Sequence, residues 1–244
     1  MKEESARQIV SRRSRPAKAP LSQDVIVSSA LEILDRDGLA GLSLRRVAAA
    51  LDTGAASLYV YLANLDELHA LMLDQALAAV QLPKAHRLSW RDRLKAFLVS
   101  YLHVLYDRHG LAQLALSTIS SGPHTLRIWK RLLGLLKEGG VEDAKAVWGV
   151  DLLMLYVTAI AAEKSNWRES GQGPGRVKDA LLSASAKEFP LIFAFKEALL
   201  AGDAQARLDW ALEVIIDGIV GSQLPSAPAA APRANKKRGS RSKQ

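Results

Sequence analysis

The sequence predicts an all-α fold, with a three-helix unit at the N-terminus and a larger helical region behind it. Three observations predict this. Apolar residues recur three and four apart along most of the chain, and no apolar–polar alternation of the strand kind stands out. Capping residues (Ser22, Ser43, Asn64, Ser89) stand just ahead of the periodic stretches. Gly38, Gly110 and Gly139–Gly140 stand just after them.

In chain order, Ser22 caps a first helix with Asp24 in its first turn, where a carboxylate suits the helix dipole. Ile26, Ala30 and Leu34 form its apolar stripe, flanked by Val27 and Leu31. Gly38 stops it at a left-handed position. Ser43 caps a second, short helix, Leu44 to Leu51, and Asp52-Thr53-Gly54 is a tight break. A third helix runs from Ala55 to about Leu62. Asn64 opens a fourth, with Glu67 completing a capping-box-like pair, and this one continues to about Val80. Ser89 and Asp92 open a long helix to Arg108, and a short one follows over Leu111–Ser120. Pro123 starts another, with Leu126, Trp129, Leu133 and Leu136 on one face. Glu142 to Trp167 is the longest apolar helix. Its unbroken apolar run, Trp148–Ala162, is short for a bilayer and carries Asp151, so it reads as a buried helix. Beyond the loop 171–175, helices are expected over Arg176–Lys187, Phe189–Leu200 and Ala204–Leu224.

Charge is uneven along the 244 residues and their net +8. Residues 1–20 carry six cations against two acids and read as a disordered basic arm. Residues 225–244 carry six cations and no acid and read as a disordered basic tail. Basic arms on a slightly acidic body suggest a polyanionic partner, and solubilising termini are the plain alternative for the tail. The absence of cysteine excludes disulfides, thiolate metal sites and thiol catalysis. No signal peptide is visible, and a cytoplasmic setting without membrane attachment is expected.

Two short helices joined by a three-residue turn cannot bury enough surface by themselves and must pack on a third. That is the helix-turn-helix arrangement, whose second short helix enters a DNA major groove. Val47, Ala48, Leu51 and Leu58 would face inward.

The stretch Leu21–Ala48 and its continuation Ala55–Leu68, with the Gly38 stop and the Leu58–Tyr59 pair, resemble the DNA-binding unit of the TetR family. Residues 120–222 resemble more loosely the ligand-binding region of its tetracycline-repressor subgroup, through helix order and the stretch from Gly122-Pro123 to Glu163. The resemblance implies a DNA-binding unit over 21–80 and a ligand-binding and dimerisation region over 81–224. It also implies a homodimeric repressor released from a palindromic operator by an unknown small molecule, with no resident cofactor or metal. An arginine at Arg45 can take two parallel hydrogen bonds to a guanine edge. Ser43, Thr53, Gly54, Ala55 and Ser57 would lie at or beside the groove, and Tyr59 and Tyr61 would hold phosphates. The family's usual turn glycine is Asp52 here, which tolerates the left-handed conformation. Its common phosphate-clamping lysine at the start of the fourth helix is Leu65. Residues 21–80 hold only three cations, Arg36, Arg45 and Arg46, against eight acids. Much of the attraction to DNA is therefore expected from Arg12, Arg13 and Arg15 of the arm, along the minor groove.

The resemblance also implies a four-helix dimer interface from Glu142–Trp167 and Ala204–Leu224. Val147, Leu155, Leu208, Leu212, Ile215, Ile216 and Ile219 are its candidates, with burial inside one subunit as the alternative. Candidate ligand contacts are the polar or aromatic residues on apolar helices: His103, Tyr106, His124, Trp129, Trp148, Tyr156, Glu163 and Trp167. His124 and Glu163 would suit a metal-bearing ligand only if the fold brought them together.

Two rival readings exist. An enzyme would be expected to show a zinc-binding His pair, a nucleophile elbow or a phosphate-binding glycine loop, and none is present. A helical DNA-binding or interaction protein without an effector is the other.

Overall fold

The computed structural model describes residues 20–81, 88–171 and 173–225, and among these the regular structure is all helical. The helices are α1 (Gln23–Asp37), α2 (Leu44–Ala50), α3 (Ala55–Leu58), α4 (Leu65–Leu77), α5 (Trp90–Asp107) and α6 (Leu111–Ser117). They continue as α7 (Pro123–Glu138), α8 (Asp143–Ser170), α9 (Gly175–Ser183), α10 (Pro190–Ala194), α11 (Lys196–Leu200) and α12 (Ala204–Gly221). The expected arm lies outside the described residues except Pro20, and so do Arg12, Arg13 and Arg15. The tail lies outside them except Pro225.

The expected caps form. Ser22 accepts from the Val25 amide, Ser43 from Arg46 and Asn64 from Glu67. The Glu67 carboxylate reaches back to the Ala63 amide, one residue before the cap. Gly38 ends α1 with φ +67, as its stop position requires, but with ψ −176, so the chain leaves extended rather than as a left-handed turn.

One stripe of α1 (Ile26, Val27, Ala30, Leu31, Leu34) is buried against α2 and α4. In the larger region α8 is central, packing on α5, α6, α7 and α12. It runs 28 residues and is by length and composition long and apolar enough to cross a membrane, which the shorter apolar run did not suggest. Its inner face (Ala146, Val150, Leu153, Val157, Ala161) is instead buried within the protein. Gly149 lets α12 come close, since a Cβ there would stand 2.9 Å from Ile219. Arg91 on α5 grips Asp217 at 2.6 Å and Glu213 at 3.3 Å, and Lys95 also pairs with Glu213, fixing α12 to α5.

The inner face of α7 is Thr125, Ile128, Leu132, Leu135 and Leu136, whereas Leu126 and Trp129 are exposed. Two expectations are corrected. The single helix expected over Phe189–Leu200 is two short ones meeting at Phe195. Leu208, Leu212, Ile216 and Ile219 are buried in this subunit's own core, so they do not lie on a free surface. The exposed apolar residues of these helices are Val147, Trp148, Leu152 and Leu155 on α8, with Trp210, Val214 and Val220 on α12.

Candidate functional site

The N-terminal unit presents α2 and α3 at the surface on a dry base. Val47, Ala48 and Leu58 are buried as expected, while Leu51 is half-buried. Asp52 takes φ +50, the only positive φ among described non-glycine residues, so the turn keeps its shape with aspartate in the glycine's place. Helix α3 is shorter than expected. It breaks at Tyr59, and Tyr61 and Leu62 continue as turns bonded to the Leu58 carbonyl.

The three cations of this unit differ sharply. Arg36 forms a two-point pair with Asp37. Arg46 pairs with the same carboxylate and donates to the Gly41 carbonyl at 2.7 Å. The Asp37 carboxyl is held below the usual carboxylate range, chiefly by its hydrogen bond from Arg36. Arg45 is exposed, and among the described residues no group pairs with its guanidinium. Tyr59 is exposed (58%), Gly54 is exposed, and Ser43, Thr53, Ala55, Ser57 and Tyr61 are half-buried around it. Ser43 Oγ accepts from the Arg46 amide as the cap of α2, a bond that leaves the O–H as a donor.

Three of the cavities among the described residues bear on ligand binding. One of about 590 Å³, open to solvent on one side, is walled by Leu73 and Leu77 of α4, Tyr101 of α5, the α6–α7 connection, Thr125 and Trp129 of α7, and Met154, Leu155 and Thr158 of α8. Inside it the Tyr101 hydroxyl bonds Thr158 Oγ1 at 2.9 Å, and burial pushes the phenol's pKa up. A second, of about 640 Å³, lies between α8, α9, α11 and α12. The largest, about 1440 Å³, is an open, charge-lined cleft between α1, α4 and α5.

The eight candidate ligand residues do not converge. Trp129 lines the first cavity; Tyr156, Glu163 and Trp167 line the second; His103 faces the open cleft. Trp148 is exposed on the outside of α8, and Tyr106 lies under the Arg168 guanidinium, 4.4 Å from the ring centre. His124 engages through its backbone amide, which donates to Asp74, and it shares no cavity with Glu163. The sequence reading missed Tyr101 and Thr158, although two buried polar groups on otherwise apolar helices are the usual sign of a built pocket.

The region 82–222 matches the family model described as "Tetracyclin repressor-like, C-terminal domain". The chain is 32% identical over 203 residues to an HTH-type transcriptional regulator of Saccharopolyspora erythraea, covering 83% of this chain and 86% of that one. The chain belongs to the TetR family. Its function is that of a DNA-binding transcriptional regulator. It is also 35% identical over 170 residues to the HTH-type transcriptional repressor DrrR1 of Streptomyces coeruleorubidus, covering 67% of this chain and 61% of that one. Apo ActR from Streptomyces coelicolor superposes with a TM-score of 0.74 at 36% identity, covering 84% of this chain and 97% of ActR. ActR has also been solved in complex with actinorhodin. With this membership, the unit built on α1–α3 is the helix-turn-helix of a TetR regulator, and Arg45 and Tyr59 are exposed on its surface.

Proposed function

We propose that this TetR-family protein is a cytoplasmic repressor that binds a palindromic operator as a homodimer and leaves it when a small molecule fills the α4–α8 cavity. Residues 21–80 are the DNA-binding unit and residues 81–224 the ligand-binding and dimerising one. The observation that carries this reading is the pairing of a helix-turn-helix, whose one uncommitted cation among the described residues is Arg45, with a cavity walled by α4, the helix that leads out of it.

In this reading Arg45 reads a base edge, while Thr53, Gly54, Ala55 and Ser57 offer small contacts in the groove. Tyr59 and Tyr61 hold phosphates. Arg12, Arg13 and Arg15 supply long-range attraction to an otherwise acidic unit. The dimer forms through the outer faces of α8 and α12, where Val147, Trp148, Leu152, Leu155, Trp210 and Val214 make an apolar surface too extensive to leave wet. A cavity of about 590 Å³ suits one multi-ring ligand. Its aromatic and hydroxyl lining, and the actinorhodin complex of ActR, favour a flat aromatic molecule bearing hydroxyl or carbonyl groups.

The test is selection of bound duplex from DNA flanking the protein's own gene, followed by competition with hydroxylated polycyclic aromatics. Recovery of a palindrome that such a compound releases supports the reading. Recovery of no specific duplex overturns it, and a duplex that no compound releases leaves a regulator without this effector class.

A further inference from the structure

We propose that Asp74 and Arg127 form a reciprocal latch that passes the state of the ligand cavity to the recognition helices, a role that rests on the regulatory reading above. Helix α4 joins the DNA-binding unit to the larger region, packing on α1 on one side and on α6 and α7 on the other. It begins directly after the α3 turns and packs along α1, and Gln75 bonds Ser28 at 3.3 Å.

Near its end α4 carries Asp74, only 6% exposed. Among the described residues no Lys, Arg or His pairs with this carboxylate. The start of α7 holds it instead. Asp74 Oδ1 accepts from the Thr125 amide at 2.8 Å, the Thr125 hydroxyl at 2.9 Å and the Ser120 hydroxyl at 3.5 Å, and Oδ2 accepts from the His124 amide at 3.2 Å. The cap position of α7 is Gly122, which has no side chain to offer, so a carboxylate from another helix does the capping. A glycine is also the only residue that fits, because a Cβ at 122 would stand 2.2 Å from Asp74 Cγ.

The exchange runs the other way too. Arg127 Nη2, one turn into α7, donates to the Leu77 and Ala78 carbonyls at 3.4 and 3.1 Å, closing the C-terminus of α4. Each helix therefore satisfies the end groups of the other, and each charge has the sign the opposing dipole favours. The cavity wall is made of the same parts, since Leu73 and Leu77, Ser120, and Thr125 and Trp129 all line it. Thr125 faces the cavity and holds Asp74 at once. A molecule that displaces the first turn of α7 must move α4 or break this latch.

The test is amide hydrogen exchange on the full chain, free and bound to the operator duplex recovered above. By linkage, a signal that travels from cavity to DNA also travels from DNA to cavity. In the wild type, operator binding slows exchange in residues 124–128 by about tenfold. Arg127→Met binds operator yet loses that change, and Arg127→Lys keeps part of it. Thr125→Val, which removes one donor to Asp74, weakens it as well. The readout is the bound-minus-free difference, which a purely structural cap would leave alone. Equal changes in wild type and Arg127→Met, or no change in operator-bound wild type, overturn the latch with the regulatory reading intact. Failure to bind any duplex overturns both.

Discussion

Replacing Arg45 or Arg46 by alanine separates recognition from scaffolding at two adjacent positions of one helix. Arg46 is committed inside the protein, to Asp37 and to the Gly41 carbonyl, whereas Arg45 projects outward without a partner among the described residues. A bidentate arginine–guanine contact discriminates by about 1–3 kcal/mol. Two symmetry-related copies on a palindrome double that to about 2–6 kcal/mol, at least about thirtyfold in affinity. Arg45→Ala should therefore weaken operator binding by that factor or more and relax selectivity at one position in each half-site. Arg46→Ala loses an exposed, solvent-screened ion pair that makes no contact to DNA in this reading, and Arg36 still holds Asp37, so operator affinity should change by no more than about threefold. The assay is fluorescence anisotropy with the operator and single-base variants of it. Wild-type affinity and selectivity in Arg45→Ala, or a larger loss in Arg46→Ala, would refute the reasoning.

Other outcomes follow from the packing. Trp210 is 70% exposed; taking roughly 250 Å² for the side chain, about 4 kcal/mol of burial per copy awaits a partner at about 25 cal/mol/Å². Trp210→Ser should thus raise the dimer dissociation constant at least about a hundredfold by sedimentation equilibrium; unchanged assembly would exclude the α8–α12 face. Gly122→Ala should cost about 1–3 kcal/mol because its Cβ meets the Asp74 carboxylate, while Gly134→Ala, where a Cβ meets nothing, should stabilise by about 0.5–1 kcal/mol; denaturant unfolding checks both. Burial lowers the His69 pKa, with Asp66 partly opposing, and Nε2 has no hydrogen-bond partner among the described residues. The unfolded chain then takes up that proton near pH 6.5 and the folded one only at lower pH, so stability falls as pH drops through 6.5, and His69→Gln should flatten the decline in melting temperature.

Much of this was legible because local rules decide it. The α1 stripe, the serine and asparagine caps and the tolerance of Asp52 for positive φ each depend on a few neighbouring residues, and all stand as expected. What failed depends on which of two apolar faces turns inward. Helices α7 and α12 are apolar on more than one side, so Leu126 and Trp129 looked as suited to the core as Ile128 and Leu132. For the same reason Leu212 and Ile216 looked as suited to a partner as Trp210 and Val214. Only packing around α8 resolves the choice. The ligand cavity was least legible, since its lining comes from five separate stretches of chain and its polar pair, Tyr101 and Thr158, lies 57 residues apart. The uncapped start of α7 and the uncharged surroundings of Asp74 carried no signal in either segment taken alone.

The most direct test is a hydroxyl-radical footprint of the intact chain on its selected duplex, paired with crosslinking from a photoreactive group at position 59. The account predicts two protected patches on one face of the duplex, about 34–36 Å or a multiple apart, with crosslinks inside both. A single patch, or protection without crosslinks from position 59, would contradict it.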